Sequence, residues 1–226
     1  MLFEIVSVLI ELPFIRKKKK EIKEGSAVVM PECPPTKEEE YAECRRRMLL
    51  YRRVIEKYAD KIEEGENKSI TELRSLVKPK DKTVQEIKEK LLDEFHPYLY
   101  ERDFLAAAEK AFAYVRDEIK NETLPVEFWL APEEIVSAGA ADEMDKCILL
   151  CSLLLALQNQ TAMVAIEADG EKHPFVIFEL NGETHVMDPV HGERTKGAKD
   201  EVFTGRKGKE NYKLIYKFND KEYEEA

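Results

Sequence analysis

Phe128-Trp129-Leu130-Ala131-Pro132-Glu133-Glu134, followed by Ala140-Ala141-Asp142-Glu143-Met144-Asp145-Lys146-Cys147-Ile148-Leu149-Leu150, is the stretch that decides the fold. Pro132-Glu133-Glu134 reads as a helix start. A second helix runs from Asp142 to Leu157, and because it is apolar on nearly every side it belongs at the centre of the molecule. Its first turn is a favoured place for a nucleophilic cysteine. Unpaired backbone N–H groups and the helix dipole lower a thiol pKa there, and a histidine on a facing strand can take the proton. Glu143 occupies that turn instead. Thirty residues on comes His173-Pro174-Phe175-Val176, and fifteen beyond His173 comes Met187-Asp188-Pro189. The order is that of a hydrolytic triad, in which the acid fixes the imidazole tautomer. The sulfur is missing.

Downstream of the central helix the period changes. The stretches 161–167, 175–180, 184–188 and 212–218 are short, apolar and partly β-branched, and Asn181-Gly182 is a strong hairpin turn. Upstream the chain is helical. Thr36-Lys37-Glu38-Glu39 is a capping box that opens a long helix, with Tyr41, Cys44, Met48, Tyr51, Ile55, Tyr58 and Ile62 as its apolar seam. A second box, Thr83-Val84-Gln85-Glu86, opens a shorter helix with Val84, Ile87, Leu91 and Leu92 inward. From Asp103 to Lys120 an amphipathic helix turns Leu105, Ala108, Phe112, Val115 and Ile119 to one side. The expected fold class is therefore α+β, a central buried helix packed on an antiparallel sheet and preceded by a helical region. The expected organisation is an apolar segment and linker over 1–35, a helical region over 36–122 and the core over 123–226.

Charge and cysteine usage narrow the function. At 226 residues, 43% hydrophobic and 36% charged, the chain can bury one good core. A net charge of −10 excludes a general nucleic-acid binder, and the basic runs Lys17–Lys20 and Arg206-Lys207-Gly208-Lys209 are too short to reverse that. Cys147 and Cys151 share a helix face as small buried residues, Cys33 and Cys44 lack zinc-knuckle spacing, and a reducing, cytoplasmic setting is expected. Abundant Lys and Glu with only the glutamines Gln85, Gln158 and Gln160 give a thermophile-like composition. Residues 1–15 are apolar except for Glu4, Ser7 and Glu11. They are too short to span a bilayer, and they lack the basic start and cleavage site of a signal peptide. Their apolar face is expected to pack on protein, with peripheral membrane contact through residues 1–20 as the alternative.

From Phe128 to Pro189 the sequence resembles the transglutaminase-like superfamily of papain-like fold. Trp129 and Pro132-Glu133-Glu134 match its lead-in. Asp142, Asp145, Lys146, Leu149, Leu150, Ser152, Leu153, Leu154, Ala156 and Leu157 match its Gly-Asp-Cys-x-Asp-Lys helix, with Glu143 falling on the cysteine. His173 and Asp188 match its histidine and aspartate. The resemblance implies the fold and a degenerate triad of Glu143, His173 and Asp188, in a cleft walled by Trp129, Asp142 and Asp145. A carboxylate cannot be activated by losing a proton it has already lost, so acyl transfer is not expected.

The leading expectation is a non-catalytic module that binds a protein partner or itself, with no cofactor and no metal. Two enzymatic alternatives stand beside it. One moves the nucleophile to Cys147, a helical turn beyond Glu143, although burial there favours an inert thiol. The other gathers Glu143, His173 and Asp188, with His191 as an optional addition, round a divalent metal that activates water. His191 otherwise reads as part of an ordinary turn, and His96, ahead of Pro97, as a loop residue.

Overall fold

Helices precede the six-stranded sheet along the chain, in line with the change of hydrophobic period. The structure is a computed structural model that describes residues 38–64, 70–122, 129–169, 171–198 and 213–225. It contains two compact units, Met1–Leu73 and Arg74–Ala226. The apolar segment and linker over 1–35 and the basic run at 206–209 lie outside the described residues. No helix among the described residues is long and apolar enough to cross a membrane.

The first unit holds α1 (Glu38–Glu64) and the start of α2 (Ile70–Leu76). Ion pairs one turn apart run along α1, with Arg52 Nε 2.7 Å from Glu56 Oε1 and Arg47 3.4 Å from Glu43. The expected seam is corrected here. Tyr41 and Met48 are exposed, whereas Leu50 and Val54, four residues apart on one face, are buried. Met48 sits about 120° round the helix from Val54, so both cannot face inward along a narrow stripe. Cys44 is disulfide-bonded.

The second unit begins with α3 (Lys82–Leu91) and α4 (Tyr100–Glu118). Asp81, rather than Thr83, caps α3, its carboxylate accepting from the Thr83 N–H at 2.9 Å. In α4 the buried face is Phe104, Ala107, Ala108, Ala111, Phe112 and Val115. Leu105, expected inward, is exposed because it lies at the margin of that face, about 100° round the helix from Phe104.

A two-residue strand β1 (Lys120–Asn121) follows. Then come α5 (Pro132–Ala138), β2 (Ala140–Ala141) and α6 (Glu143–Ala156), with β1 and β2 pairing in parallel. Pro132 stands at the start of α5, Glu134 accepts from the Ala131 N–H at 2.8 Å, and Gly139 ends the helix in the left-handed conformation. The remaining strands are β3 (Met163–Asp169), β4 (Glu171–Leu180), β5 (Glu183–Asp188), β6 (Glu193–Gly197), β7 (Lys213–Phe218) and β8 (Tyr223–Glu225). They form one antiparallel sheet in the order β6-β5-β4-β3-β7-β8. Asn181 and Gly182 both take positive φ, 53° and 80°, and join β4 to β5 in the tight turn expected of that dipeptide. The architecture is α+β.

Helix α6 is the hub of this unit. Cys147, Ile148, Leu149, Leu150, Cys151, Leu153 and Leu154 are wholly buried, and the helix packs against β3 and β4. Each of its buried leucines contributes about 2 kcal/mol relative to exposure. The helices upstream join the same core. The Lys78 N–H donates to Ser152 Oγ at 3.0 Å, Tyr98 Oη donates to the Leu157 carbonyl at 2.9 Å, and Phe104 meets Phe178 edge-on at 5.4 Å. The division between units falls after Leu73, and α3 and α4 lie in the same unit as the sheet.

Candidate functional site

Three elements end at one place. Helix α6 begins at Glu143, with Asp142 as its cap: the Asp142 carboxylate accepts from the Asp145 N–H at 2.9 Å. Strand β4 carries His173 near its start, and β5 ends on Asp188. Register brings the last two together. Val176 pairs with Met187, so His173 lies three residues before the pairing begins and Asp188 one residue past it. Pro174 has no N–H to donate, which suits a position that β5 does not pair.

The imidazole of His173 stands between two acids. Its Nε2 is 2.7 Å from Asp188 Oδ2, and its Nδ1 is 3.5 Å from Glu143 Oε2. His191 Nδ1 reaches the same Asp188 oxygen at 3.0 Å, and the two imidazole rings meet edge to face with centroids 4.7 Å apart. The other Asp188 oxygen, Oδ1, accepts from the backbone N–H groups of Val190 and His191 at 2.9 and 3.0 Å. Asp188 is almost wholly buried, His173 is about one-fifth exposed, and the side chains of Glu143 and His191 are 40% and 58% exposed. The group therefore has a buried floor and a solvent-facing mouth.

Burial and charge compete at these groups. Burial works to lower the His173 pKa, but hydrogen bonds and charge from Asp188 and Glu143 outweigh it and raise the imidazole to about 9. For Asp188 burial works upward, yet the His173 hydrogen bond, the His191 backbone N–H and the His173 charge hold the acid well below the usual carboxylate range. The two carboxylates thus favour the charged form of His173. Lys146, one turn into α6, is buried with Nζ 3.5 Å from the Arg116 carbonyl. Burial leads in lowering its pKa, against the raising influence of Cys147, Asp117 and Asp188.

The structure brings Glu143, His173 and Asp188 together, as their order in the chain suggests. It does not bring Cys147 to the site as a usable thiol. That side chain is wholly buried, and burial first, then the charges of Asp188, Glu143 and Asp142, push its pKa well above the ordinary value. Asp145 is corrected as a cleft wall. It has no exposed surface, and its Oδ1 accepts from the Leu130 N–H at 2.9 Å, tying the chain beside Trp129 to α6. Trp129 is buried too, while Asp142 is half-buried as the helix cap. His96 is exposed beside Asp93, as a loop residue should be.

One expected grouping does not survive the geometry. Glu143 and Asp188 address opposite nitrogens of the His173 ring, so Glu143, His173 and Asp188 cannot share a single metal ion. By sequence alone His191 reads chiefly as part of a turn. The spacing of Asp188 and His191, three apart after a strand, was the available signal for its position, because that turn folds the imidazole back over the carboxylate.

Residues 127–216 match the CEP76 peptidase-like domain. The match spans about two-fifths of the chain, and it contains Glu143, His173, Asp188 and His191. It overlaps the stretch that resembles transglutaminase-like proteins, and it supports a peptidase-like domain over α5 to β7. No curated protein sequence matches the chain. Among solved structures, Legionella pneumophila LapG in its EGTA-treated form is similar at 16% identity with a TM-score of 0.48, over 70% of this chain and 86% of that one. Another structure of Legionella pneumophila LapG is similar at 15% identity with a TM-score of 0.47, over 70% and 88%. The calcium-bound form gives 17% identity and a TM-score of 0.41, over 62% and 87%.

Proposed function

We propose that this protein carries a peptidase-like domain that has lost its nucleophile and serves as a protein-binding or structural module. One observation carries the reading. At the first turn of the buried helix, 3.5 Å from the imidazole nitrogen that a thiol would address, stands the carboxylate of Glu143. A carboxylate already ionised there has no proton for His173 to take. The charged trio of Glu143, His173 and Asp188 then braces the junction of α6, β4 and β5 rather than passing a proton. The thiols nearby, Cys147 and Cys151, are buried, which supports the same conclusion. On the first unit, the exposed Tyr41, Met48 and Leu49 of α1 offer an apolar stripe to a protein partner or a second copy.

The test is the substitution Glu143→Cys, compared with the unaltered protein in a chelator-containing buffer. Both are treated with a thiol-directed acyl-trapping electrophile and assayed on glutamine-donor and peptide substrates. The unaltered protein should show no site labelling and no turnover. The variant should label at position 143, because His173 and Asp188 are already in place to activate a thiol. Amide turnover by the unaltered protein through a sulfur intermediate would overturn the proposal.

A further inference from the structure

His191 has no part in the degenerate triad, yet it points at the same carboxylate oxygen as His173. Two imidazole nitrogens, His173 Nε2 and His191 Nδ1, and one carboxylate oxygen, Asp188 Oδ2, all lie within 4.8 Å of one another. We propose that these three atoms form a binding site for one divalent transition-metal ion of the zinc class, with Glu143 orienting His173 from behind.

The donor set selects the ion. Two imidazoles and one carboxylate suit zinc, cobalt or nickel rather than magnesium or calcium, which prefer all-oxygen shells. Three protein ligands with a solvent-facing fourth position are the pattern of an open zinc site. His191 supplies that opening, being 58% exposed, while Asp188 supplies a dry floor at 2%. In a tetrahedral site neighbouring ligand atoms stand about 3.4 Å apart, given metal–ligand bonds of about 2.1 Å. The two nitrogens now stand 2.7 and 3.0 Å from Asp188 Oδ2, so openings of about 0.7 and 0.4 Å admit the ion. The exposed His191 ring can supply the smaller opening, and the larger one needs His173 and Asp188 to separate.

The surroundings are built for the role. Metal-bound histidines hold their second ring nitrogen on a carboxylate, and metal-bound carboxylates are themselves hydrogen-bonded. His173 and Asp188 meet these conditions: Glu143 Oε2 faces His173 Nδ1, and Asp188 Oδ1 is fixed by two backbone N–H groups. The inference rests on the reading of Glu143 as a non-nucleophile, and it adds a purpose. A cysteine at 143 would address the same nitrogen, but a carboxylate is the group that sets the tautomer a metal needs. The ion binds at Nε2, and the proton stays on Nδ1.

The experiment uses the full chain, stripped with chelator, dialysed, and titrated with zinc by calorimetry and with cobalt by visible absorption. The expected result is one ion per chain, a rise in Tm with zinc, and the intense visible bands of a low-coordinate cobalt site. His191→Ala, a change at an exposed side chain that leaves the fold intact, should abolish those bands. Glu143→Gln should weaken binding by roughly 10- to 100-fold without removing it. His96→Ala, at an exposed histidine elsewhere, should change nothing. Lack of zinc and cobalt binding by the unaltered protein sinks the proposal, as does binding that His191→Ala leaves intact or that His96→Ala removes. The labelling experiment on Glu143→Cys is run with chelator present, so failure of the metal site and failure of the non-catalytic reading are seen separately.

Discussion

Helices α1 and α6 show two ways of making a helix. Helix α1 has 27 residues and is held along its surface by ion pairs such as Arg52–Glu56, with Leu50 and Val54 inward. Helix α6 has 14 residues, buries all but the first of them, and owes almost nothing to surface charge. A helix tolerates change at its exposed positions, because little packs against them. A helix buried on every side is fixed in rotation and in depth, which lets its first residue be set against groups on two strands with ångström-scale accuracy. The candidate site sits at the end of the second kind.

The sharpest break of that contrast is a cavity in α6. Leu150→Ala should cost about 2–5 kcal/mol, the usual range for truncating a wholly buried leucine, and lower Tm sharply in thermal unfolding. A loss under 1 kcal/mol would show that the core around α6 collapses readily and cannot be the rigid mount inferred here.

Next comes the charge of His173, read in metal-free protein. Its folded pKa of about 9 lies above the ordinary imidazole value near 6.5, so its contribution to stability is fully present below about pH 6.5 and is lost as pH rises through about 9. The Tm difference between the unaltered protein and His173→Gln, measured from pH 6 to pH 10 with chelator, should therefore shrink as pH climbs. A constant difference would mean that the imidazole is not held as a cation between Glu143 and Asp188.

Asp142→Ala removes the cap of α6 and should cost about 1 kcal/mol, with Asp142→Asn recovering most of it in denaturant unfolding. The smallest effect belongs to α1. Met48→Ala, at an exposed position, should stay within about 0.5 kcal/mol in the same measurement. A larger loss would show that Met48 is covered in solution, which would sharpen the case for self-association through that face.

Much of this was readable before any coordinates, and what was missed shares one cause. Helix α6 was legible because the run from Cys147 to Leu157, apolar but for Ser152 and preceded by the cap Asp142, has few other destinations. The hairpin at Asn181-Gly182 was legible because two consecutive positive φ angles select that dipeptide. Strand β6 was not, since Glu193-Arg194-Thr195-Lys196 is exposed edge and carries no apolar alternation. The inward place given to Leu105, the seam through Tyr41 and Met48, and the role of Asp145 went astray because each depends on how the element is turned against its neighbours.

The candidate site divides along the same line. Residue types and their order along the chain were enough to nominate Glu143, His173 and Asp188, since local helix and strand patterns place them at element ends. That Glu143 and Asp188 take opposite nitrogens of one ring, and that His191 shares the second acid, is a matter of register, ring orientation and a turn's direction. Those are settled by contacts between residues far apart in the chain, and linear spacing holds no record of them. The sequence determined which groups were available; packing in three dimensions decided which atoms face one another.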